Sequence, residues 1–146
     1  MGTWSHGNFD NDTALDWLSD ITSQLLDEIT EAMDSPECLE ADELDADVVP
    51  CKIELLCTMA ENGMSPIWPD VHLLEEWKST FLKVWDESID SLEPDEDYKR
   101  DRRQTLVNTF DRMIALARDD QEEGDASDDE DEGQGLAPQA LSSRTP

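Results

Sequence analysis

The stretch MGTWSHGNFDNDTALDWL, residues 1–18, introduces the first helix of the chain and indicates how that helix begins. Asp10 is a good N-cap, because its carboxylate can accept hydrogen bonds from the free backbone N–H groups of a first helical turn. Asp12 then lies in that turn, where the helix dipole favours negative charge. Glycines ahead of the cap allow the backbone to turn sharply, so Trp4 and Phe9 are predicted to form an aromatic lid over the helix start.

This N-terminal motif has two interpretations. In the first, the lid is structural and covers Trp17 or Leu18. In the second, the polar and acidic side chains around the helix start form a site for a ligand or a partner protein. Both interpretations depend on the same candidate residues: Trp4, Phe9, Asp10, Asn11, Asp12, Asp16 and Trp17.

Apolar residues recur at spacings of three and four along most of the chain, which predicts amphipathic helices. The pattern places four main helices: residues 11–34, one from Val48 to a stop at Asn62-Gly63, residues 71–90, and one that begins at Pro94. Residues 37–47 are acidic and predict a loop or a short, weakly anchored helix. The expected fold is therefore an all-α, compact bundle.

The phases of these helices predict which side chains are buried. The predicted core positions are Val48, Cys51, Leu55, Leu56 and Met59 in the second helix, Leu74, Trp77, Phe81, Trp85, Ile89 and Leu92 in the third, and Tyr98, Leu106, Phe110, Met113 and Ala117 in the fourth. Trp68, between two prolines, is expected to pack on the core, with an exposed partner anchor as the alternative.

The segment after Arg118 is acidic, contains glycine and proline, and lacks aromatic residues, which is typical of disorder. We therefore predict two regions, a helical domain over residues 1–118 and a disordered acidic tail over residues 119–146.

Acidic residues dominate the whole chain, with 38 Asp and Glu against 10 Lys and Arg and a net charge of −28. Such a protein lacks the basic footprint needed to bind nucleic acid or anionic lipid directly, and it attracts basic partners. A basic cluster, residues 99–103, is interpreted as charge compensation with neighbouring carboxylates. No apolar run is long enough to span a membrane and no signal region is visible, so the expected location is cytoplasmic.

Three cysteines and two histidines offer no zinc spacing, no disulfide framework and no clear nucleophile–base pair. Cys51 and Cys57 are expected to be reduced thiols in the core. The acidic positions of the N-terminal motif lack the central glycine and the terminal glutamate of a calcium loop. The sequence therefore predicts no catalytic residues, no metal ligands and no cofactor.

The opening resembles a family of short, mostly bacterial proteins grouped only as a domain of unknown function. Its members begin Met-Gly-x-Trp and continue with Phe-(Asp/Glu)-Asn-Asp-x-Ala-Leu-Asp-Trp/Phe, which this chain matches at Met1, Gly2 and Trp4 and then from Phe9 to Trp17. A looser similarity, Trp-x-Glu-Ser, falls at Trp85, Glu87 and Ser88. The resemblance implies no catalytic residue. Some relatives resemble immunity-type proteins encoded beside toxins.

These observations lead to two hypotheses. In the first, a small acidic, non-enzymatic protein binds a basic protein, as an immunity-type protein or a DNA mimic does. In the second, the protein is structural or regulatory, without a dedicated target, and is acidic mainly for solubility. The sequence leaves the oligomeric state undecided.

Overall fold

The computed structural model of the chain describes residues 5–131, with side chains up to residue 122. Four α-helices follow one another: α1 is Asp12–Met33, α2 is Leu44–Glu61, α3 is Val71–Ser88 and α4 is Glu96–Asp131. Two 3₁₀ turns, Pro36–Leu39 and Ile89–Leu92, lie between them, and the described residues contain no strand. This confirms the prediction of an all-α fold with about four main helices.

The chain divides into two compact units, Met1–Ile114 and Ala115–Pro146. The described part of the second unit is helical and belongs to α4. The helix therefore continues to Asp131, past Arg118, where the sequence predicts that a disordered tail begins. Residues 132–146 of that predicted tail lie outside the described residues, and the proposed boundary at 118 stays a prediction.

The core of the first unit is built around the aromatic face of α3. Trp77, Phe81 and Trp85 are buried on this face as predicted. The ring of Phe81 packs against that of Phe110 on α4, with centroids 5.3 Å apart and planes tilted by 46°. Trp68 is also buried, which confirms that it packs on the core.

The helix ends follow local chemistry that is readable from the sequence. Asp70 caps α3 by accepting a hydrogen bond from the backbone N–H of His72, at 2.9 Å. At the end of α2, Gly63 adopts a φ of 86°, a left-handed conformation that favours glycine. Two backbone hydrogen bonds close this end, from Gly63 N to the Ala60 carbonyl and from Met64 N to the Met59 carbonyl.

The predicted face of α2 is wrong except at Leu56, which is buried. The helix begins at Leu44, four residues before Val48, so Pro50 lies in its second turn instead of its first. Cys51 and Leu55 are exposed, and the buried positions are Ala46, Val49, Pro50, Ile53, Leu56 and Cys57. The apolar residues of α2 itself lie on most faces of the helix, so their spacing alone does not decide which face packs on α1 and on the first 3₁₀ turn.

Two further expectations about burial are corrected. The segment predicted to be weakly anchored contains Leu39, whose side chain is fully buried, and the N–H of Ala41 donates to Ser88 Oγ at 2.9 Å. Leu92 and Tyr98, predicted to be in the core, are both about half exposed. Leu92 is the last residue of the second 3₁₀ turn and Tyr98 lies in the first turn of α4, so both belong to the connection between α3 and α4.

Candidate functional site

The N-terminal motif forms a hydrogen-bonded start for α1. Asn11, and not Asp10 as predicted, is the N-cap: its Oδ1 accepts from the N–H of Ala14 at 2.8 Å. Asp10 lies one residue earlier, where its Oδ2 accepts from the N–H of Gly7 at 3.0 Å. A Cβ on Gly7 would lie 2.4 Å from that oxygen, so a larger residue at this position would displace the Asp10 carboxylate.

The remaining described candidate residues of the motif lie along the start of α1 and just before it. Asp12 lies in the first turn of α1, and Asp16 is exposed one turn later. Phe9 is partly exposed, and Trp17 is 58% exposed. Trp4 lies outside the described residues, so the aromatic lid and the choice between its structural and binding interpretations stay predictions. Among the described residues, no three His, Cys, Asp or Glu side chains are arranged to hold a metal ion.

The three cysteines occupy different environments. Cys57 is fully buried, and desolvation raises the pKa of its thiol to about 11, which confirms a core thiol at this position. Cys51, predicted to be in the core, is exposed, and its Sγ donates to the Asp47 carbonyl at 3.3 Å. Cys38 is partly exposed, and desolvation, followed by the charges of nearby carboxylates, raises the pKa of its thiol.

Most basic residues of the first unit form ion pairs that connect two elements of the fold. These pairs are Lys52–Glu28 between α2 and α1, Lys78–Asp111 and Arg103–Asp86 between α3 and α4, Lys99–Asp90 between α4 and the second 3₁₀ turn, and Arg112–Glu61 between α4 and α2. The hydrogen bond from Lys52 lowers the pKa of Glu28, and the one from Arg112 lowers that of Glu61. The cluster at residues 99–103 thus pairs largely with carboxylates, as expected.

Sequence reasoning missed a surface depression between α2 and α4, here named the α2–α4 groove. It consists of two cavities, of about 350 and 370 Å³, and Arg102 lines both. The first extends from Asp47 past Trp85 to Tyr98, and the second extends along α2 from Pro50 to Thr58. Its lining residues lie about fifty positions apart in sequence, so no local pattern indicates it.

The groove is lined by apolar side chains, among them the buried Trp85 and Ile89, and by exposed carboxylates. Leu55 on α2 and Tyr98 on α4 are each 55% exposed, a large exposure for side chains of this size. Asp47, Glu54 and Asp95 supply the carboxylates of the lining. Within the described part of the chain, none of these three carboxylates forms an ion pair.

A comparison with known protein families finds a match over the first third of the chain. The model of a family described as "Domain of unknown function (DUF4259)" matches residues 2–53. This range includes the N-terminal motif and all of α1, and the match confirms the resemblance to a domain of unknown function. No curated protein and no solved structure matches the chain. None of the helices in the described part is long and apolar enough to cross a membrane.

Proposed function

We propose that this protein is a small, non-enzymatic interaction protein that binds a basic protein partner. An immunity-type protein, which neutralises a toxin, and a DNA mimic, which blocks a nucleic-acid-binding surface, are two forms of this function. The observation that supports the proposal is the charge of the chain, which has 38 acidic and 10 basic residues. Most of the described basic residues form ion pairs within the fold.

The ion pairs use the cations to connect helices, and because acidic residues outnumber basic ones by 38 to 10, carboxylates remain in excess. A surface of this kind carries a negative potential that accelerates encounter with a basic face and disfavours acidic partners. Nucleic acid and anionic membranes would be repelled for the same reason. We propose a cytoplasmic location, which is also the expectation from the sequence.

The pKa shifts of the described titratable groups have structural causes. The carboxyl groups whose pKa is lowered, Glu28 and Glu61, belong to ion pairs at the surface between helices. Burial raises the pKa of the Cys57 thiol, which makes it a weaker nucleophile at neutral pH because less thiolate is present.

The test is affinity capture from the native host with the full chain, at low and at near-physiological salt, followed by reconstitution from purified components. We expect one basic protein, a 1:1 complex, and an association rate that falls steeply as salt rises while dissociation changes less. Failure to recover a basic protein at either salt concentration would refute the proposal and favour a structural or regulatory protein without a dedicated target. Turnover of a small substrate would make it an enzyme.

A further inference from the structure

We propose that the α2–α4 groove binds an amphipathic helix of the basic partner, with apolar anchors in the groove and basic residues along both rims. The inference rests on the proposed function and adds the place and the form of contact. The groove offers what such binding needs: an apolar channel, helical walls, and acidic edges.

The length of the groove fits a short helix. Its α2 wall extends from Asp47 to Thr58, and at 1.5 Å per residue this wall is about 17 Å long. A partner helix lying along it would present about three turns, which place apolar side chains at positions i, i+3 or i+4, and i+7. Leu55, Leu92 and Tyr98 are the exposed apolar side chains of this region that would contact them.

The charges of the groove select the partner. Asp47 and Glu54 lie on the α2 side and Asp95 on the α4 side, and none has an ion-pair partner among the described residues. A helix with Lys or Arg on both flanks of its apolar stripe would pair with these carboxylates. A second copy of this chain would bring its own net charge of −28 and would be repelled.

Arg102 sets the register of the bound helix. It lines both cavities, and in the described part of the chain no ion pair to its guanidinium is present, unlike its neighbour Arg103. A basic helix would place like charge against it unless one Asp or Glu lies at that position. The occupant is therefore a basic amphipathic helix with a single acidic residue opposite Arg102, and this residue discriminates against helices that lack it.

The first arm of the test selects peptides from a display library of 18-residue helices on the purified full chain. We expect enrichment of an apolar stripe flanked by Lys or Arg, with one Asp or Glu near the centre. Replacing Cys38 with serine leaves two thiols, Cys51 in the groove, which is exposed, and Cys57, which is buried. In this variant a bound peptide should slow the alkylation of Cys51 at least about tenfold. No enrichment, or enriched peptides that leave Cys51 unprotected, would overturn the inference.

Matched substitutions locate the contact. Leu55→Glu in the groove should weaken the selected peptide at least about tenfold, equivalent to about 1.4 kcal/mol. Leu73→Glu, the same change at an exposed leucine of α3 away from the groove, should have little effect. Arg102→Glu should shift the preference toward peptides with Lys at the central position, whereas Lys83→Glu, which changes the net charge equally, should not. Equal effects within either pair would refute groove binding.

The same variants separate this inference from the proposed function. If the wild-type chain captures a basic protein and Leu55→Glu captures it equally well, the function stands and the groove inference fails. If the wild-type chain captures no basic protein while selected peptides protect Cys51, the preference of the groove for such helices stands and the proposed function fails. Circular dichroism of each variant confirms that the fold is retained, because the substituted side chains are at least partly exposed.

Discussion

The Phe81–Phe110 contact provides the sharpest test of how the helices are held together. Both side chains are fully buried, and their rings lie 5.3 Å apart in a tilted arrangement that joins α3 to α4. Replacing Phe110 with alanine removes the ring from the centre of the core and leaves Phe81 without its aromatic neighbour. We expect this substitution to be among the most destabilising in the chain.

The size of the effect follows from the buried area. An aromatic side chain buries about 150–250 Å², which at about 25 cal/mol per Å² corresponds to roughly 4–6 kcal/mol for the whole side chain. Alanine retains part of this, and the cavity it leaves adds a further cost, so a loss of about 3–5 kcal/mol is expected. A domain of this size has a free energy of unfolding of about 5–15 kcal/mol, so the variant should still fold but with little stability left.

Urea unfolding followed by far-UV circular dichroism measures the change. Leu73→Ala, at a 39% exposed position of α3, is the control and should stay within about 0.5 kcal/mol of wild type. Phe110→Leu should lie between the two, because it keeps apolar volume but loses the ring contact. A loss below about 1 kcal/mol for Phe110→Ala, with an unchanged dependence on urea, would show that the arrangement of α3 and α4 described above is wrong.

Four further outcomes follow from the structure. Asn11→Ala should lower the free energy of unfolding by about 1 kcal/mol because it removes the cap of α1; an effect no larger than that of an exposed surface substitution would contradict the capping geometry. In the native protein Cys51 should react with a maleimide while Cys57 should not until the chain unfolds, as mass spectrometry of the labelled peptides would show; early labelling of Cys57 would contradict its burial. Pairing with Arg112 lowers the pKa of Glu61 in the folded state, so the contribution of this pair to the free energy of unfolding is present above the unfolded-state pKa and is lost as pH falls through the folded-state pKa. The difference in stability between wild type and Glu61→Gln should therefore shrink only below about pH 4.5. A constant difference down to about pH 2 would argue against the pair. The melting temperature should rise as sodium chloride increases from low to near-physiological concentration, since a Debye length of about 10 Å at 0.1 M screens the self-repulsion of the chain; a falling trend would mean that the ion pairs between helices dominate.

Sequence patterns predicted α3 well and α2 poorly, for a physical reason. On α3 the large apolar residues form one stripe against polar neighbours, so the spacing has a single solution, and Trp77, Phe81 and Trp85 are buried as expected. On α2 apolar residues occupy most faces, and the helix begins earlier than the capping signals indicate. Which face is buried is then decided by contacts with α1 and the first 3₁₀ turn, which a local pattern does not contain.

The candidate site was still harder to predict from local sequence patterns than the buried face of α2. The N-terminal motif was visible because its residues are contiguous, yet the structure uses Asn11 and Asp10 to fix a helix start. The α2–α4 groove joins Asp47 and Leu55 to Tyr98 and Arg102, which only the packing of the fold brings together. Leu55 and Cys51 line this groove, and periodicity assigned both of them to the core.

The charge imbalance links the stability of this protein to its proposed function. The cations that connect the helices leave an excess of carboxylates, and their mutual repulsion opposes the compact state. A basic partner that binds only the folded chain would relieve this repulsion and stabilise the fold by mass action. Salt weakens both the repulsion within the free protein and the attraction to the partner. The stabilisation that a partner confers should therefore be greatest at low salt, where the free protein is least stable. The attraction between carboxylates and a basic helix does not by itself fix where along the groove the helix lies. In the proposed complex, pairing of Arg102 with one acidic residue of the partner fixes that position.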